Sequence, residues 1–247
     1  MNHGIATDSL LHWASGAVYS EEHAGEQHPP KPGPALPFIT ISRQYGARGR
    51  SLGVALAERL NAIDPGEHPW TVWDRELVEK VVAEHHISPK VIEAMEGPGH
   101  TWLQDLFSAF SSGEPGSYLG DRDLFVKVAA TARALAVAGR AILVGRGGVY
   151  ATSDLPGGIH VRLIAPLASR IAFMTGELKL SPARADAEVK RVDEFRDAFH
   201  RRCCTGKASM AEMFTITLNS AALTDEEMAA CVVTLLNLRQ EHPVTAS

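Results

Sequence analysis

Gly46, Gly49, Arg50 and Ser51 stand close together, directly after the β-prone run from Phe38 to Ile41. Glycines let backbone N–H groups approach phosphate oxygens, and a helix N-terminus adds unsatisfied donors and partial positive charge. Ser51 opens an amphipathic stretch with Leu52, Leu56 and Leu60 on one face, so strand, glycine loop and helix follow in order. The phosphate-loop pattern G-x-x-x-x-G-K-[ST] is met at its end by Gly49-Arg50-Ser51. Arg50 takes the lysine position, and Gln44 stands where the first glycine would be. In this pattern Gly46, Ala47, Gly49 and Arg50 would cradle the phosphates of ATP through backbone N–H groups. Arg50 would add a planar, permanently charged fork, and the Ser51 hydroxyl suits Mg²⁺ beside the phosphates. Arg43 and Arg48 are further cationic candidates, although a loop with three arginines also fits simple solvation.

A second cation is placed for chemistry by its surroundings. Ala141 to Val144 is a continuous apolar run, as expected for a parallel strand buried on both faces. Gly145-Arg146-Gly147 follows at once, which puts Arg146 in the crevice where α/β sheets bind ligands. There its guanidinium could reach a phosphate, although a solvent-facing turn residue also fits the position. Asp74 closes the short strand Trp70 to Trp73; it either faces the same crevice or caps a helix over 75–85.

The elements that must position these groups alternate along the chain. Strand-like runs at 38–41, 70–73, 141–144, 159–165 and 214–218 are separated by helical patterns, which predicts an α/β fold around a parallel sheet. Residues 86–138 read as a helical insertion, ending in a long helix over 121–139. A helix over 167–176 follows Pro166, and Ser181-Pro182 opens another. Along the latter, Lys190, Arg191, Arg196, Arg201 and Arg202 mix with Asp186, Glu188, Asp193, Glu194 and Asp197, as in a solvated helix laced with ion pairs. Thr224 and Glu227 form a capping box for the last helix.

S-R-Q-Y-G-x-x-G-R at 42–50, V-G-R-G at 144–147 and D-x-x-R at 193–196 resemble the cytidylate kinase-like family, from about Phe38 to the last helix. The resemblance implies a three-layer P-loop kinase fold with a five-stranded parallel sheet ordered 2-3-1-4-5. It makes 38–245 one kinase-like domain, with 86–138 as acceptor-binding insertion and 176–212 as a lid-like region. It places Arg170 beside the adenine end of ATP and assigns Arg191 and Arg196 to the lid, with Arg196 swinging in to neutralise the transferred group. Arg50, Arg146 and Arg196 would then be the catalytic cations, and Asp74 and Arg146 would serve the acceptor. The CMP kinases, to which that family is related, carry G-R-D where this chain has Gly145-Arg146-Gly147, so a carboxylate contact to the acceptor base or ribose is lost. The implied activity is transfer of the γ-phosphoryl of ATP, with Mg²⁺, to a nucleoside monophosphate of the CMP type. The alternatives are a kinase of another small molecule and a nucleotide-binding regulator without turnover.

Composition narrows the partners. The chain has 247 residues and a formal net charge of −5, against broad electrostatic binding to nucleic acid or anionic membranes. Expected partners are small-molecule nucleotides, with a homodimer as a further expectation. Cys203, Cys204 and Cys231 lack metal-binding spacing and read as free thiols in a reducing cytoplasm. Residues 1–30 contain no Lys or Arg, so the basic start of a secretory signal is missing. The run Pro29-Pro30-Lys31-Pro32-Gly33-Pro34 is a stiff linker, so 1–37 reads as a flexible or loosely packed arm.

Overall fold

The computed structural model describes residues 36–66, 68–74, 122–145, 147–203 and 210–241. Five strands form one all-parallel sheet: β1 (Phe38–Arg43), β2 (Thr71–Asp74), β3 (Ala141–Val144), β4 (Gly158–Ile164) and β5 (Ile216–Asn219). Their order is β2-β3-β1-β4-β5, as the family resemblance implies. Central β1 pairs with β3 at Ile41↔Val144 and with β4 at Arg43↔Leu163. Asp74 pairs with Val144, so the C-terminal ends of β2, β3 and β1 open on the same edge.

Helices cover both faces. They are α1 (Gly49–Ile63), α2 (Arg122–Ala138), α3 (Gly148–Thr152), α4 (Leu167–Leu178), α5 (Pro182–Cys203) and α6 (Asp225–Glu241), with a 3₁₀ turn at Met210–Met213. One core joins Ile39, Ile41, Ile159, Val161 and Leu163 to Leu52, Leu56 and Leu60 of α1 and to Met228, Val232 and Leu236 of α6. Burying each such side chain stabilises the fold by roughly 1.5–3 kcal/mol. A Cβ at Gly53 would lie 3.1 Å from both Val144 and Val72, so the missing side chain lets α1 press onto β2 and β3. The opposite face packs Phe38, Trp73 and Leu143 against Leu135 and Ala136 of α2.

Several boundaries shift from the sequence reading. β1 runs on through Ser42 and Arg43, because both residues pair with β4. Asp74 is the last residue of β2, and α1 begins at Gly49, before Ser51. The five-residue helix α3 follows the glycine turn after β3. The arm before residue 36, the helix over 75–85, residues 86–121 of the insertion expected over 86–138, and residues 204–209 of the lid-like region lie outside the described residues. No helix among the described residues is long and apolar enough to cross a membrane.

Candidate active site

The loop from Gln44 to Arg48 crosses the end of the central strand, where the connections part towards opposite edges of the sheet. Its first half is stitched down. Gln44 N–H donates to Leu163 O at 3.0 Å, and Gln44 Oε1 accepts Ala165 N–H at 2.9 Å. A glycine in this position could supply the first bond but not the second. Ala47 N–H donates back to Gln44 O at 3.2 Å and closes the turn. Gly46 has φ 81°, and a Cβ there would meet Arg170 O at 2.8 Å, so both conformation and space demand glycine.

A cavity of 510 Å³ lies over this loop. Gly46, Ala47, Gly49, Arg50, Ser51 and Arg196 line it together, so six of the expected site residues share one space. Its volume falls in the range of small-molecule sites. Residues without a local sequence signal complete the wall: Phe173, Met174 and Glu177 of α4, and Asp225 and Glu226 at the start of α6. Phe173 and Glu177 stand four apart on α4, yet that spacing alone does not tell a ligand wall from an ordinary helix face.

The cations divide by environment. The Arg50 side chain, 79% exposed, reaches from the first turn of α1 towards Asp74, with Nη1 3.9 Å from Oδ2. That brings the expected donor cation and the expected acceptor carboxylate to one edge of the site. Arg196 is held much more firmly: Nη1 donates to Arg43 O at 2.9 Å and its guanidinium lies 5.1 Å from the Tyr45 ring centre. Burial, with the Arg43 charge adding to it, pushes the Arg196 pKa down to about 9. A guanidinium so desolvated gains by meeting an anion. The sequence reading has Arg196 swinging in with a lid; here it already sits on the loop.

Arg170 and Asp193 act beneath the loop. Arg170 donates to Ala165 O at 2.9 Å and Tyr45 O at 3.1 Å, and pairs with Asp193. The other Asp193 oxygen accepts Tyr45 N–H at 2.8 Å. Arg170, expected beside adenine, is buried and outside the cavity lining; its guanidinium serves the loop and α5. Arg191 pairs with Glu188 at 2.7 Å on the exposed side of α5 and is also outside the lining. Arg146 lies outside the described residues.

Among the described residues no group of three or more His, Cys, Asp or Glu is placed to hold a metal ion. Mg²⁺ in nucleotide sites takes one or two protein oxygens and draws its other ligands from phosphate and water. Ser51 lines the cavity and its hydroxyl fits that small requirement; Asp74 is outside the lining and touches Arg50 at 3.9 Å.

Residues 38–222 match the cytidylate kinase-like family, well over half of the chain. The chain belongs to the cytidylate kinase-like family. Membership points to a kinase and to nucleotide binding. Among solved structures, this cytidylate kinase-like chain is similar to an uncharacterized protein from Eubacterium ventriosum, with a TM-score of 0.60 and 17% identity. The likeness covers 83% of this chain and 99% of that one, and it speaks for the fold alone. No curated protein matches the chain.

Proposed function

We propose that this chain transfers the γ-phosphoryl group of ATP, with Mg²⁺, to a nucleoside monophosphate of the CMP type. The observation that carries the reading is the cavity in which glycine-loop backbone, Arg50, Ser51 and Arg196 converge. Phosphoryl transfer asks little covalent chemistry of a protein. It needs donor and acceptor in line, and fixed positive groups around the charge that spreads over the moving group.

Backbone N–H groups of residues 46–51 would take the β- and γ-phosphates. The Arg50 guanidinium would leave its long contact with Asp74 and grip phosphate oxygens in a fork. Arg196, already fixed by Arg43 O and the Tyr45 ring, would face the transferred group without a large rearrangement. Ser51 would hold Mg²⁺, which would supply charge neutralisation for the phosphates. Asp74 and Arg146 would serve the acceptor from the ends of β2 and β3.

A specific feature supports a second reading, a kinase of another small molecule. Gly147, the N-cap of α3, offers no side chain at the place of the aspartate that the resemblance to CMP kinases would imply. A panel of nucleoside monophosphates and small alcohols, supplied with Mg-ATP and coupled to ADP detection, separates the readings. ADP formation with a nucleoside monophosphate supports the first and formation with an alcohol the second. MgATP binding without turnover on any acceptor would replace both with a regulatory role.

A further inference from the structure

Arg48 has φ 58° and ψ 32°, a left-handed backbone conformation, in the loop that lines the cavity. A residue with a Cβ rarely adopts this geometry, because Cβ crowds the following carbonyl. Its contacts explain how it is held there. Arg48 O accepts Leu52 N–H at 3.0 Å. Its guanidinium runs away from the loop and donates through Nη2 to Ser220 O and Leu223 O. Nη1 pairs with Asp225 Oδ1 at 3.4 Å. All three partners lie in the turn after β5 or at the start of α6, at the far end of the chain.

A left-handed residue next to a right-handed one turns successive N–H groups towards one point, the concave arrangement that takes up an anion. Glycine could adopt φ 58° unaided, but it would leave the loop equally free to abandon that shape. We infer that Arg48 is the positioning residue of the donor loop, tying it to the β5–α6 turn so that residues 46–51 keep their phosphate-receiving shape. The inference rests on the donor-site reading above. The same turn leads into Asp225 and Glu226 on the cavity wall, so a bound nucleotide would meet both the loop and its anchor.

Amide hydrogen exchange of the ligand-free full chain over residues 44–52 reads the tether without any nucleotide. Arg48→Ala and Arg48→Gly should each exchange about tenfold faster there, with β1 and β4 unchanged. Arg48→Lys should restore part of the protection. If Arg48→Ala fails to fold, Arg48→Gly accepts the backbone without strain and carries the comparison. Exchange within about twofold of wild type would overturn the tether. In turnover assays the donor Michaelis constant should rise about tenfold in both variants while kcat and the acceptor constant hold. A donor constant that does not move would overturn the positioning role. A wild-type chain that binds no MgATP would remove the donor-site reading instead, and the exchange rates would still decide whether Arg48 holds the loop.

Discussion

Tyr45 and Asp193, 148 residues apart, meet in one hydrogen bond: the Tyr45 N–H donates to Asp193 Oδ1 at 2.8 Å. The other Asp193 oxygen pairs with Arg170, whose guanidinium also holds Tyr45 O. Helix α5, in the lid-like region, is thereby fastened to the glycine loop through a carboxylate that is largely buried.

Replacing Asp193 with Ala should leave the Arg170 charge buried without its counter-ion. Breaking a buried pair from one side costs about 3 kcal/mol or more. A urea titration of Asp193→Ala should show that loss, and a change below about 1 kcal/mol would mean that solvent or another acidic group compensates.

His160 gives the fold a pH dependence of known sign. It lies in β4, with Nδ1 2.9 Å from Thr40 Oγ1 and its ring edge-on to Phe38. Burial, with the Arg239 charge adding to it, pushes its pKa down to about 4. The unfolded chain then binds the proton more readily than the folded one between pH 6.5 and about 4. The neutral imidazole's contribution is fully present above pH 6.5 and is lost as pH falls through that window, by roughly 2–3 kcal/mol at pH 4.5. Wild type should lose that much more stability than His160→Gln between pH 7 and 4.5. Parallel losses in the two proteins would contradict the shift.

How much of this was legible in the sequence depends on the distance between partners. Leu52, Leu56 and Leu60 announce their helix because the helical period is local, and their burial follows. The strand order came through family resemblance, since a parallel pairing leaves no local mark. The contacts of Gln44, Arg48 and Arg170 leave no local signal, because their partners are at Ala165, Ser220 and Tyr45, across the fold. The expectation that Arg170 stands beside adenine came from the family resemblance. The burial of Arg170 against a carboxylate on the next helix could not be read from spacing.

Arg50 has little to hold it in the free protein, being largely exposed and 3.9 Å from Asp74. Its main contribution should therefore appear on donor binding. Arg50→Ala should weaken MgATP binding by roughly 10- to 150-fold, the range for losing a charge-assisted contact of about 1.5–3 kcal/mol. Calorimetry giving an unchanged affinity in a folded variant would remove Arg50 from the donor site.

Gly147 has φ −95° and ψ −9°, a backbone that any residue accepts, at the N-cap of α3. Aspartate is among the best N-cap residues, so Gly147→Asp should fold. It should sharpen discrimination among acceptor bases from about 10- to 200-fold towards the larger ratios that a buried polar contact provides. Arg146→Ala should raise the acceptor Michaelis constant with donor binding nearly intact. Wild type that already prefers CMP by thousands-fold would place base selection elsewhere.

The most direct measurement follows the phosphoryl group itself. Wild-type protein is incubated with Mg²⁺, CMP and ATP labelled at the γ-phosphoryl, and the products are separated. The expected result is label in CDP, one equivalent for each ADP formed, and its loss in Arg196→Ala. Label found only in inorganic phosphate, or remaining in ATP while CMP is unchanged, would contradict transfer to CMP by this chain.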